Sequence, residues 1–289
     1  MRKEHRQTAA PIHTLGFAVN PHKFAEAERA LSILSDACAQ NGISLLETDI
    51  TRADFVPSSI DALFVAGGDG TVLHFAWAAA LRGVPIISFN AGTMGFLSEA
   101  QEDEIESLAA MLAQGSYYHE ERMLLQCKAE CCDSEEANTL ALNDVVASRG
   151  SYSRMVHIDV HADGEYVGGF FGDGVVVSTP TGSTAYSLSS GGSIAAPNAR
   201  CILLTPICPH SPPARPIILP DSAVIDIDVS SHGEGGGILL TLDGRAPVAH
   251  TDCVSLTVSA SSQRLRFIRV KPFMFFSRLR GKLAQWSEK

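Results

Sequence analysis

Ala62-Leu63-Phe64-Val65-Ala66-Gly67-Gly68-Asp69-Gly70-Thr71 is the stretch on which the fold turns. Its first half is apolar and reads as a buried strand that stops at Gly67. The glycines let the backbone bend sharply and come close to a ligand. A helix is expected from Thr71 to Arg82, with Gly83 as its stop. Ligands of open α/β sheets bind beyond the carboxyl ends of strands, and the free N–H groups of a helix start favour phosphate. Asp69 sits inside this turn, where a carboxylate repels a bare phosphate. That conflict suggests a different role for it, either holding a magnesium-bound phosphate or taking a proton from an attacking hydroxyl. A plainer reading, a tight turn with Asp69 capping the helix, stays open on these residues alone. The stretch is neither a GxxxxGKS/T P-loop nor a GxGxxG dinucleotide fingerprint.

Outward from this turn, the first third of the chain alternates strand and helix. Thr14–Asn20 and Leu45–Thr48 read as strands. Between them Glu26–Asn41 carries Ala27, Ala30, Leu31, Leu34 and Ala37 at helical spacing, closed by Gly42. Val84–Asn90 reads as a further buried strand and Asp103–Ala113 as an amphipathic helix. This alternation implies a parallel sheet with right-handed crossovers. After about Tyr118 the texture changes to short apolar or alternating runs: Leu124–Ala129, Ala141–Ala147, Met155–His161, Tyr166–Phe171, Val175–Thr179, Ala223–Val229, Gly237–Leu242, Cys253–Val258 and Leu265–Val270. Repeated short strands point to a sandwich or closed sheet system. The fold class is therefore α/β plus β. A Rossmann-like α/β domain is expected over residues 1–120 and a β-sandwich-like domain over 121–270. Residues 271–289, with an amphipathic run Phe273–Trp286, are expected to pack back on the first domain.

Composition sets the outer bounds. Hydrophobic residues are 45% and charged residues 19% of 289, enough apolar matter for a core. A formal net charge of −10 gives no basic footprint for nucleic acid. Met1–Ala10 lacks the apolar core of a signal peptide, and no run reaches the roughly 18 apolar residues of a membrane span. A soluble cytoplasmic chain without nucleic-acid or membrane partners is expected. The cysteines include no CxxC pair; Cys127, Cys131 and Cys132 cluster without a histidine at ligand spacing, and free thiols in a reducing compartment are expected rather than a metal site.

Two further segments carry chemistry. Asp173–Ser189 runs from a buried β stretch through Pro180-Thr181-Gly182 into a short helix expected over Thr184–Ser190. Thr181, Ser183 and Thr184 offer hydroxyls, the turn offers amides, and Tyr186 offers a flat face and a phenol. That set suits a nucleotide's sugar, phosphates and base, though a Ser/Thr-capped helix start explains it equally well. In Leu142-Asn143-Asp144-Val145 two polar residues stand between apolar ones, where strands disfavour them. A strand-end turn is the plainer reading; an amide beside a carboxylate can also grip ribose hydroxyls. His157, Asp159 and His161 alternate along a strand and could share one face, the pattern of a metal-dependent hydrolase, although such residues more often pack or face solvent.

Taken together, the segments resemble the NAD kinase family. The matching pieces are GGDGT at 67–71, FNAGTMGFLSE at 89–99, LND at 142–144, GDG with STPTGSTAYSLSSGG over 172–192, and PICPHSPPARPI at 206–217. GGDGT alone is shared with lipid kinases and phosphofructokinases; TPTGSTAYSLS in the same chain is far more specific. The resemblance implies transfer of a phosphoryl group from ATP to the 2′-hydroxyl of the adenosine ribose of NAD, giving NADP, at a site between the two domains. It also implies a divalent metal, usually magnesium, and a homodimer or homotetramer. Asp69 falls on the family's catalytic aspartate, Gly70 on its binding partner, and His74 where the family carries a basic binding residue. Asn143 and Asp144 fall on its Asn-Glu pair, Arg154 on a basic contact position and Asp173 on an acidic one. Thr184, Ala185, Tyr186, Ser187, Leu188 and Ser189 match the dinucleotide-binding run. Arg245 falls where many members carry Gln or another polar residue.

Overall fold

The computed structural model describes residues 9–19, 24–47, 56–90, 95–129, 140–150, 155–210, 214–231, 237–245, 249–251 and 253–287. In chain order the elements are β1 (Thr14–Val19), α1 (Phe24–Gln40), β2 (Ser44–Glu47), β3 (Ala62–Ala66), α2 (Asp69–Arg82), β4 (Ile86–Phe89), α3 (Ile105–Ala113) and β5 (Tyr118–Ala129). There follow β6 (Leu140–Ala141), β7 (Asp144–Arg149), β8 (Val156–Ala162), β9 (Glu165–Gly172), β10 (Gly174–Ser178), α4 (Tyr186–Ser189) and β11 (Cys201–Ile207). The last are β12 (Ile217–Pro220), β13 (Ile225–Ser231), β14 (Ile238–Leu242), β15 (Ala249–Thr251), β16 (Cys253–Arg269) and α5 (Phe275–Ser287). The chain divides into two compact units, Met1–Glu121 with Leu265–Lys289, and Arg122–Arg264.

In the first unit β2, β1, β3 and β4 lie in that order, all parallel, and Phe267 of β16 pairs beside Ile86 of β4. β3 is apolar and buried along its whole length because strands flank it on both sides. Phe17, Phe64 and Phe89 stack across three adjacent strands, with centroids 5.9 and 5.7 Å apart. Ala30 and Leu34 of α1 and Leu108 and Leu112 of α3 complete this core. The strand order reverses between β1 and β3, which puts the glycine turn after β3 at the place where such sheets bind ligands.

The second unit holds an antiparallel sheet ordered β12-β11-β10-β7-β14-β15, and an antiparallel set in which β13 lies between β16 and β8, with β9 beyond. Burial alternates along β8 and β13, so each sends one face inward. Val145, Val177 and Leu240 from one layer and Ile158, Ile227 and Leu256 from the other share a single core. This is sandwich packing.

The structure departs from the sequence reading at particular places. α2 starts at Asp69, two residues before Thr71, because Gly68 in an extended conformation serves as its N-cap. The runs expected at Cys253–Val258 and Leu265–Val270 are one strand, β16. The run expected over Ala141–Ala147 breaks at Leu142-Asn143. β11 is a strand despite Pro206, because its pairing with β12 ends at Leu204 and the proline's missing N–H leaves no gap in that ladder.

Candidate functional site

Asp69 does not cap its helix. Gly68 is the N-cap and α2 has no side-chain cap bond, so the carboxylate is left to other partners. It accepts from the backbone N–H of Phe96 at 2.9 Å and of Leu97 at 3.1 Å. Gly95 makes this approach possible: a Cβ there would overlap the Asp69 carboxylate. Asp69 remains partly exposed and Gly70 is exposed. His74, one turn further along α2, is exposed, with its ring edge-on to Phe75 at 5.0 Å. Behind the 95–98 turn lies a buried ionic group. Glu99 accepts from Arg269 Nη1 at 3.0 Å and from the backbone N–H groups of Val270 and Lys271, and Arg269 Nε donates to Glu120 at 2.6 Å.

In the second unit Asn143 and Asp144 sit at the start of β7, and their backbone is gripped by a residue about a hundred positions away. The Asp243 carboxylate accepts from the N–H groups of Leu142 (2.8 Å), Asn143 (2.6 Å) and Asp144 (3.1 Å). Asp243 itself adopts a left-handed backbone, φ 52°, and returns a bond from its N–H to the Asp144 carbonyl. Burial raises the Asp243 carboxyl, against the three amides and Arg245, which pull it down. Burial, then the Asp243 charge, pushes the Asp144 carboxyl up to about 7. Both carboxyls of the pair are raised, and on Asp243 the amides offset part of the effect of burial. Arg245 turns its side chain to the backbone, Nε to the Leu242 carbonyl at 3.0 Å and Nη2 to the Leu140 carbonyl.

The hydroxyl-rich turn docks on this pair. Thr179 Oγ1 donates to the Leu142 carbonyl at 2.6 Å and accepts from the Gly182 N–H at 3.0 Å. Gly182 lies so close to the Asn143 backbone that a side chain there would overlap its carbonyl. Ser183 does not cap a helix; its hydroxyl donates to the Pro180 carbonyl and accepts from the Ala195 N–H. A 3₁₀ turn, Gly182–Thr184, precedes α4, so the expected helix over Thr184–Ser190 is reduced to four residues from Tyr186. Ser187 is buried against Thr205, while Tyr186 and Ser189 are exposed and Thr184, Ala185 and Leu188 half-buried. Burial raises the Tyr186 phenol, and the charges of Cys208, Asp173 and Asp144 raise it further. Asp173 is paired with Arg149 at 2.6 Å.

Arg154 lies outside the described residues, as do Cys131 and Cys132. His157 Nδ1 sits 3.2 Å from Asp159, and His161 packs on Tyr166. Among the described residues no group of three or more His, Cys, Asp and Glu is placed to hold a metal ion. No described helix is long and apolar enough to cross a membrane. Not legible in the sequence are the 95–98 turn, which holds Asp69 in the first unit, and Asp243 and Thr179, which hold the 142–144 segment in the second. Asp243-Gly244 carries only a turn signal, and the other two depend on contacts invisible in a linear pattern.

The first unit carries a carboxylate in a glycine turn at a parallel sheet's carboxyl edge, and the second an amide- and hydroxyl-lined turn, features compatible with a phosphotransferase acting on a nucleotide. Residues 13–117 match the ATP-NAD kinase N-terminal domain and residues 142–270 the ATP-NAD kinase C-terminal domain. The chain belongs to the ATP-NAD kinase family. It is 40% identical over 227 residues to the NAD kinase of Gemmatimonas aurantiaca, covering 78% of this chain and 77% of that one. It is 35% identical over 284 residues to the NAD kinase of Moorella thermoacetica, covering 95% and 90%. Among solved structures, yeast NADH kinase complexed with NADH superposes with a TM-score of 0.78 at 26% identity, over 97% of this chain and 89% of that one. An Archaeoglobus fulgidus NAD kinase in complex with ATP, at 20% identity and a TM-score of 0.75 over 94% and 98%, shares the fold.

Proposed function

We infer that this chain transfers the γ-phosphoryl group of ATP to the 2′-hydroxyl of the adenosine ribose of NAD, giving NADP and ADP, with Asp69 acting on that hydroxyl. Family membership over both domains supports the reaction. The residue roles follow the family resemblance, and one observation supports that of Asp69: it is not consumed as a helix cap but held by two backbone amides, and the residue is partly exposed. Phosphoryl transfer depends on positioning and charge neutralisation more than on covalent chemistry. Asp69 orients the hydroxyl and accepts its proton as the new P–O bond forms and the bond to the ADP oxygen breaks. Gly70 leaves room beside it, and His74 supplies a polar group one turn along α2.

Asn143 and Asp144 hold ribose hydroxyls, the first by donation from its amide and the second through its carboxyl. Thr184 to Ser189 line the dinucleotide, with Tyr186 offering its ring face. Asp173, Arg154 and Arg245 complete the assignment as polar contacts. Magnesium binds through one or two carboxylates together with substrate phosphates. A single carboxylate in a phosphate-favouring turn fits such an ion arriving with ATP, where it neutralises phosphate charge. A cytoplasmic homodimer or homotetramer completes the reading; it rests on the family resemblance, and light scattering of the purified chain tests the assembly.

The test is incubation with ATP, magnesium and NAD followed by detection of NADP. Asp69→Asn is expected to keep its circular dichroism spectrum and lose about 10²–10⁴-fold in turnover. Wild-type turnover in that variant would remove Asp69 from the chemistry.

A further inference from the structure

We propose that Arg278, on the C-terminal helix α5, is a positioning residue that fixes the Asp69 carboxylate and so sets the rate of phosphoryl transfer. The proposal rests on the assignment of Asp69 as the group that acts on the hydroxyl. All the residues involved belong to the first unit.

The peptide joining Gly95 to Phe96 is bonded at both ends. Its N–H donates to Asp69 at 2.9 Å, and its carbonyl accepts from Arg278 Nη1 at 3.2 Å. The same Nη1 donates to the Ser98 carbonyl at the other end of the turn. Arg278 therefore reaches Asp69 through a single peptide plane. A rigid plane cannot turn at one end without turning at the other, and hydrogen bonds in such a chain polarise and strengthen one another. The rest of the turn is anchored separately. The Leu97 carbonyl accepts from Ser88 Oγ and from Arg269 Nη1 at 3.2 Å, and Ser98 Oγ accepts from the Gly95 N–H at 3.3 Å.

The guanidinium is itself held in place. It stacks over the Phe273 ring, 4.8 Å from the centroid, on the segment leading into α5. Burial and then the Arg269 charge lower its pKa, while the carboxylates of Glu99, Asp69 and Glu120 raise it, so Asp69 is among the charges this cation faces. Arg278 touches neither proposed substrate group; its effect passes through the 95–96 peptide. A group displaced by about 1 Å from its productive geometry can lose about 10²-fold in rate, so a residue that fixes only the angle of that peptide is expected to act on turnover.

Arg278→Ala and Arg278→Lys in the full chain test this by steady-state kinetics with NAD and ATP each varied, alongside melting curves. Arg278→Ala is expected to lower kcat about 10- to 100-fold, with both KM values within about threefold of the parent. Arg278→Lys, which keeps a cation and a donor, recovers most of that loss. In an Asp69→Asn background, adding Arg278→Ala changes the residual rate by less than about threefold, as expected of groups that act as a unit. A folded Arg278→Ala enzyme with parental kcat overturns the proposal, and so does a loss that multiplies with that of Asp69→Asn. If Arg278→Ala does not fold, Arg278→Gln carries the test with the same outcomes. Parental turnover in Asp69→Asn alone sinks the Asp69 assignment instead, so the two failures are distinguishable.

Discussion

At the scale of single residues, Asp144 shows how burial sets chemistry. Its carboxyl is pushed from 3.8 up to about 7 by burial and by the Asp243 charge. Between those values the folded chain keeps a proton that the unfolded chain has released. The contribution to stability is therefore full below about pH 4, is lost as pH rises towards 7, and is flat above. Asp144→Asn removes this dependence. Relative to the parent, the variant is expected to gain on the order of 2–3 kcal/mol in stability between pH 5 and pH 8. Urea unfolding at both pH values checks it, and a difference from the parent that is equal at pH 5 and pH 8 contradicts the raised carboxyl. The same residue changes its hydrogen-bonding role near neutrality: protonated it can donate, ionised it only accepts. Neither its proton nor its partner is legible in LND, because Asp243 is about a hundred positions away and enters through backbone amides.

At the scale of elements, each unit has a turn that needs one glycine against another segment's polar group. Gly95 lets Asp69 reach its amides, and Gly182 lets the 3₁₀ turn sit on the Asn143 backbone. The helix after Pro180-Thr181-Gly182 is legible as a start signal, but its hydroxyls are spent differently from caps. Thr179, Ser183 and Ser187 bond to the Leu142 carbonyl, the Pro180 carbonyl and Thr205. The first and last of these bonds fasten the turn to the segment before β7 and to β11, and Tyr186 stays exposed. Gly182→Ala forces the turn off Asn143. Overpacking of this kind costs about 1–3 kcal/mol, and KM for NAD is expected to rise about tenfold with the fold intact. Titration of NAD binding checks it; unchanged affinity would show that the seating of the turn does not matter to the dinucleotide.

At the scale of the whole molecule, the chain's last stretch completes its first unit. β16 and α5 bring Arg269 and Arg278 to the segment after β4. Arg269 has no exposed surface, and its partner Glu99 is 1% exposed. Removing one partner of such a pair leaves the other charge buried alone, at about 3–5 kcal/mol. Arg269→Ala is expected to lose that much in denaturant unfolding, and Arg269→Met combined with Glu99→Gln to recover part of it. A loss below about 1 kcal/mol, the range of exposed pairs, would mean that the pair does not hold the unit together.

The order of residues alone carries the architecture's outline and the family. Periodicity places the strand at Ala62–Ala66 and the helices around it, since burying an apolar face dictates local spacing. TPTGSTAYSLS together with GGDGT points to a phosphotransferase for NAD. What each polar group does emerges only once the chain has folded. Asp69 loses the role of helix cap because Gly68 takes the N-cap position and the amides of Phe96 and Leu97 come within reach. Arg245 turns to the backbone, Asp243 becomes the holder of Asn143 and Asp144, and Arg278 arrives behind the turn that holds Asp69. The physical reason is common to all of them. Apolar patterning is local and repeats with the backbone, whereas a buried polar group takes whichever partner the fold brings near, at any distance along the chain.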